Sequence, residues 1–376
     1  MSLECVRLAV PDSAASARDP RAREPGPRLR LRGGLSRRAP WTTGRTAGKS
    51  PSPCGSRRER ILQLACSTVA LGTALSFLAM LLPASAIGSE DPIWRYDFRD
   101  VFYDAAFPNL QDAVIVGARG RVLVTHSRYR NLWCPRDSGT KELLTCLSFV
   151  NEREGWAAGH GGIVLHTLDT GRSWEILRES KPENQPLFAV QFLSTREGFA
   201  CGAFDTFLKT TDGGKTWESL SPGLDTMYNG MAFLDPRNGY LAGEFGTVLH
   251  TSDGGLTWEK LDLGDHRGSW FGILLLSREE ILVFGIAGGL MRSQDGGRTW
   301  ASVPSPTDQS LFRGAANRDE VLLVGASGTI LYSPDRGVTF SLRKDEDLTK
   351  FAGVCAHPAG GFLCVGETGK ILHIRP

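Results

Sequence analysis

Histidine, tyrosine and methionine are scarce in this sequence, at seven, six and five of 376 residues. The His residues fall at no metal-ligand spacing, and no Cys-x-x-Cys pair exists for zinc or redox chemistry. No phosphate loop or dinucleotide fingerprint follows a strand and opens a helix, so no cofactor is expected. A basic body is missing as well. The first 86 residues hold 14 Lys+Arg against 5 Asp+Glu, leaving 29 against 36, so the net charge of +2 conceals a body of −7. A nucleic-acid partner is thereby excluded, because it requires a basic face that displaces counterions from phosphates.

After Met1 the next Met is Met80, and the first 79 residues are Arg, Pro, Ala and Gly with almost no aromatics. They do not belong to a packed fold. Residues 1–55 read as a disordered leader, a transit-like peptide or an over-extended start, with Glu4, Asp12, Asp19 and Glu24 more acid than transit peptides usually carry. Residues 56–86 have an Arg-rich start, an uncharged run from Ile61 to Leu82, then Pro83 and Ala84-Ser85-Ala86. That is the order of an export signal, with cleavage expected after Ala86. The run of 22 residues is also long enough to stay as an anchor across roughly 30 Å of hydrocarbon. Either way residues 87–376 are expected outside the cytosol, in a bacterial periplasm or envelope or in a thylakoid lumen. Five Cys follow the signal: Cys134, Cys146, Cys201, Cys355 and Cys364. An odd count at irregular spacing is no disulfide framework, and they read as small buried hydrophobes, although Cys134 and Cys146 could pair across a loop.

What is present is a repeat. TLDTGRSW (167–174), TTDGGKTW (210–217), TSDGGLTW (251–258), SQDGGRTW (293–300) and SPDRGVTF (333–340) share one pattern, and their last residues are 43, 41, 42 and 40 apart. A worn copy without Asp or Gly ends at Trp133. Ahead of each runs Gly-x-x-Gly, whose first glycines are Gly117, Gly159, Gly202, Gly243, Gly285, Gly325 and Gly366, with Asp205 replacing the last glycine once. Seven units follow. Within a unit the apolar runs are short and bounded by Gly, Asp, Asn or Pro, as in MAFLD (231–235), GYLAG (239–243), TVLHT (247–251) and TWEKL (257–261). Four short strands per unit predict an all-β, seven-bladed β-propeller of four-stranded antiparallel blades over 87–376. Gly-x-x-Gly turns from the second strand to the third, where positive φ favours Gly, and the Asp motif turns from the third to the fourth. The last unit ends after its third strand, so residues 92–98 (PIWRYDF) are expected to close the ring as the fourth strand of the C-terminal blade.

The eight-residue motif resembles the Asp-box of bacterial sialidases and other propellers. Together with Gly-x-x-Gly, in units such as 238–261, it is similar to the photosystem II stability and assembly factor family over residues 91–376. That resemblance implies an exported, non-enzymatic propeller that binds a membrane protein complex or its assembly intermediate, here as a monomer with a protein partner. The photosynthetic members carry an Arg-lined patch, whereas this acidic body has scattered cations near one face, at Arg119, His160, Arg267 and Arg313. The departure favours an envelope relative outside photosynthesis.

The Asp-box residues Asp169, Asp212, Asp253, Asp295 and Asp335 occupy equivalent turns on different blades, so they cannot converge on one atom and read as turn caps. Trp174, Trp217, Trp258 and Trp300 read as inter-blade core, and His126, His166, His250 and His373 as third-strand residues. Binding is expected at the end that gathers the Gly-x-x-Gly turns and the inter-blade loops (178–187, 219–227, 262–270, 302–311, 342–351). The candidate face is Arg119, His160, Glu244, His266, Arg267, Trp270, Arg313 and Glu367, with GDHRGSW (264–270) the best single contact. The competing reading is an Asp-box glycoside hydrolase, which by the sialidase resemblance needs an Arg cluster, a Tyr nucleophile activated by Glu, and an Asp acid. Tyr103 and Tyr228, with Glu244 and Glu367 on neighbouring turns, are what the sequence offers for it.

Overall fold

The computed structural model describes residues 93–126 and 132–375; the leader, the export segment and the turn of the worn motif lie outside the described residues. Seven antiparallel sheets follow one another along the chain, each a meander with its strands in sequence order. Six have four strands and the C-terminal sheet has three. The first strands, Phe102–Ala106, Leu144–Phe149, Leu187–Phe192, Tyr228–Phe233, Trp270–Leu275, Leu311–Asn317 and Phe351–Ala356, touch their neighbours around the axis. They define blades 1 to 7 of a propeller.

Burial explains the composition of each strand. The second strands, such as Gly155–Gly159, Gly198–Gly202, Gly239–Gly243 and Ile281–Gly285, are buried at every residue because a blade lies over each face. They are accordingly continuous apolar runs without alternation. The outermost strands, Glu218–Ser219, Glu259–Lys260 and Ala301–Ser302, are exposed throughout and short. Seven apolar clusters fill the seven seams between blades. Aromatic rings stack across two of them, Trp156 on Phe192 at 3.6 Å and Phe199 on Phe233 at 3.8 Å. All five described cysteines are free, Cys134 and Cys146 included.

Closure differs from the expected one. Residues 93–98 form no strand and make no ladder with Ile371–Ile374, so among the described residues blade 7 has three strands. The Trp94 amide instead donates to the Trp133 carbonyl of blade 1 (2.6 Å), and its indole N–H donates to Asp100 (2.9 Å). The Trp94 ring lies 5.9 Å from Phe102, in the seam where Leu363 and Val365 of blade 7 meet Ala113 and Ile115 of blade 1. Of the alternating aromatics only Trp94 finds cover, for Tyr96 and Phe98 are both 68% exposed. A strand needs apolar cover along a whole face, and two uncovered rings in three remove that reason to pair. The ring closes by packing.

Candidate partner-binding face

The Gly-x-x-Gly turns and the inter-blade loops share one end and are tied together by backbone bonds. Gly120 N–H donates to Glu142, Lys181 to Gly161, Asp205 to Thr226, Gly246 to Gly268 and Gly328 to Thr349. The first glycine of each turn is not the positive-φ residue expected, since Gly159 has φ −176. It is required because a Cβ there would stand 1.9 Å from the Leu143 carbonyl oxygen, and Gly202 and Gly325 meet the same obstacle. Positive φ falls on the third and fourth residues of the turn, as at Arg119 (59°) and Gly120 (65°).

The expected face residues do not behave alike. Arg119 is engaged: its guanidinium donates to Asp100 (2.9 Å), a carboxylate only 1% exposed that also receives Arg121 (3.0 Å) and Trp94. Its role includes clamping the blade 7–blade 1 junction, where Gly369 N–H donates to the Asp100 carbonyl. Arg313 lies on the innermost strand of blade 6 and points across the axis. It donates to the carbonyls of Phe188 (2.8 Å), Thr145 (3.5 Å) and Asn229 (3.5 Å) on blades 3, 2 and 4. Facing it is Asp104 of blade 1, whose carboxyl is pushed up by burial and held back by the Arg313 charge and by the amides of Leu147 and Ala105. Arg313 therefore plugs the channel and is no surface cation.

Trp270 is a correction, because it is fully buried in the blade 4–blade 5 seam. His266 stacks on it at 3.9 Å, half-buried, and burial lowers its pKa, so it stays neutral at pH 7. The loop therefore turns its aromatic inward and shows only charge, with Arg267 exposed. Glu367 pairs with Lys350 (3.4 Å), while His160 and Glu244 sit half-buried in the turns of blades 2 and 4. For the hydrolase reading, Tyr228 is fully buried and donates its hydroxyl to Asp205 (2.6 Å); burial and that bond raise its pKa. A nucleophile needs the opposite shift and an open approach.

At the other end each Asp-box aspartate serves its own turn. Asp253 accepts from the Thr251 hydroxyl (2.8 Å), the Thr257 amide (2.9 Å) and the Thr257 hydroxyl (2.6 Å), which together hold its carboxyl down at about 2. Asp169, Asp212, Asp295 and Asp335 repeat the pattern. The indoles of Trp174, Trp217, Trp258 and Trp300 donate to the glycine carbonyl of the same turn and pack into seams. Among the described residues no three His, Cys, Asp or Glu converge on a metal position.

Two features escaped the sequence reading. Asp100, the junction anchor, carries no motif. Phe204 and Phe245, at the third turn position of blades 3 and 4, are 69% and 70% exposed. The repeat alignment could have shown them, since Gly161, Ala287, Ser327 and Thr368 are small at that position.

Many solved structures match the chain. YCF48 bound to a D1 peptide has 19% identity and a TM-score of 0.63, covering 76% of this chain and 94% of its own. YCF48 from Cyanidioschyzon merolae gives 17% and 0.61, covering 76% and 98%. The WD40 propeller domain of Doa1 gives 9% and 0.59, covering 75% and 94%. At such identities they speak for the fold alone. No curated protein matches the chain. The family model of photosynthesis system II assembly factor YCF48 matches residues 92–186 and 219–311, half of the sequence, and the chain belongs to that family.

Proposed function

We propose that this chain is a non-enzymatic, exported binding scaffold for a membrane protein complex or its assembly intermediate, acting as a monomer through the end that carries the Gly-x-x-Gly turns. The observation that carries the reading is the division between the ends. One carries Asp-box turns whose bonds stay within their own blade, while the other collects the Gly-x-x-Gly turns and the loops that pass from blade to blade on a rigid ring. Family membership supports it, as does the D1 peptide bound by a relative. The export reading rests on residues 56–86. The test is capture from detergent-solubilised membranes on the immobilised full chain, with mass spectrometry of what is retained. Subunits of one membrane complex, enriched as an incomplete assembly, are expected. Retention of soluble proteins alone, or turnover of a fluorogenic sialoside by the pure chain, would overturn the reading.

A further inference from the structure

Phe204 and Phe245 are explained neither by packing nor by backbone preference. Their φ values are 51° and 55°, the left-handed region that a bulky aromatic avoids. Both side chains are more than two-thirds exposed. A residue that is unfavourable to its own turn and buries little of itself is retained for contact with something else. They occupy the same place on adjacent blades. Leu224, in the loop joining those blades, is 38% exposed, and Ile286, in the turn of blade 5, is 43% exposed. Together they trace an apolar arc over blades 3 to 5 on the loop-bearing end.

The charge around the arc names its occupant. In the turns and loops at 203–206, 219–227, 244–247 and 261–269 stand Asp205, Asp225, Glu244, Asp262 and Asp265, against Arg267 alone, with His266 held neutral by burial. An acidic rim repels an anionic lipid surface or an acidic peptide and attracts Lys and Arg. We infer that this arc docks a segment of a protein partner that alternates apolar anchors with basic residues. The inference rests on the protein-binding reading above and deepens it by giving the chemistry of the segment and its place on the ring.

The probe is a fluorescein-labelled amphipathic peptide of Lys and Leu, titrated against the full chain by anisotropy, with the Glu–Leu peptide of the same pattern as control. The Lys–Leu peptide should bind, the Glu–Leu peptide should not, and added salt should weaken binding. The double variant Phe204→Gly/Phe245→Gly should bind at least about tenfold more weakly. Its melting temperature should be equal to or above that of the parent, since glycine relieves both positive φ values. Equal binding by parent and variant, no binding by the parent, or equal affinity for both peptides would overturn the inference. Co-sedimentation with phosphatidylglycerol vesicles that the double variant loses would overturn it in favour of a lipid surface. If the double variant still captures the same membrane complex as the parent, the arc falls and the scaffold reading stands.

Discussion

Removing the carboxylate of one Asp-box tests whether these turns hold the blades or merely decorate them. Asp253→Ala deletes three accepted bonds, from the Thr251 hydroxyl at 2.8 Å, the Thr257 amide at 2.9 Å and the Thr257 hydroxyl at 2.6 Å. The turn is wet, so water replaces part of each bond, and about 0.5–1 kcal/mol per bond gives a loss of about 1.5–3 kcal/mol. Thr251→Val acts from the buried side. Thr251 is 1% exposed, and its oxygen accepts the Gly255 amide at 2.9 Å, so the change orphans a buried N–H at about 1–3 kcal/mol. Because the two changes share the Thr251–Asp253 bond, the double variant should lose less than their sum, by about 0.5–1.5 kcal/mol. Equilibrium denaturation in urea at neutral pH measures all three, with an unchanged m-value as the sign that only stability moved. A midpoint for Asp253→Ala indistinguishable from the parent would refute the reasoning and assign the turn to its glycines, Gly254 (φ 79°) and Gly255 (φ 91°). Strict additivity of the two changes would refute the shared bond.

Gly159→Ala places a Cβ 1.9 Å from the backbone oxygen of Leu143, which cannot move without shifting blade 2; a loss of about 3 kcal/mol or more, or insoluble expression, is expected. Gly264→Ala, which meets nothing within 4 Å and carries only the cost of φ 74°, should lose about 1 kcal/mol in the same denaturation assay. Acid should unfold the ring in a defined window. Asp212, Asp253 and Asp295 have folded pKa values lowered to about 2 by side-chain and backbone bonds from Thr216, Thr257 and Thr299. Their stabilisation is full above the unfolded carboxylate value and is lost as pH falls from about 4 towards 2, which melting curves across that range would show. Asp104, raised by burial, works in the opposite sense and offsets part of the fall.

The repeat was legible because each of its signature residues answers a local demand that recurs from blade to blade, seven times for the first glycine of the turn and five times for the Asp-box. Asp and Thr must bond within eight residues, and the glycine ahead of them must let a neighbouring carbonyl pass. Such demands are written where they act. The closure was not legible, because the alternation in 92–98 is genuine but the outcome turns on Asp100, a buried carboxylate whose partners Arg119 and Arg121 lie about twenty residues on. Trp270 was misplaced for a related reason. The loop ahead of it is polar, yet the position opens an innermost strand, the equivalent of the buried Phe102, Leu144, Leu187, Tyr228, Leu311 and Phe351. Aligning the repeat by its first strands would have assigned it to the core. Arg313 stands at an equivalent place to Asp104 and Cys146, but nothing local says that its side chain crosses the axis to blades 2, 3 and 4.

The unequal use of cations decides how the acidic body can bind anything. Arg119 and Arg121 are held by Asp100, Arg313 by channel carbonyls, and Lys350 by Glu367 with its ammonium 5.3 Å from the Phe312 ring. Positive charge at the loop-bearing end is thus largely committed to keeping seven separate sheets in one ring, a need made sharper by a seventh blade that has three strands among the described residues. Carboxylates such as Asp225 and Asp265 are instead exposed beside rings that the fold does not cover. A scaffold built this way attracts with acid and grips with phenylalanine. Losing Arg119 would then loosen the ring before it weakened a contact, whereas losing Phe204 and Phe245 would weaken the contact and leave the ring as stable as before.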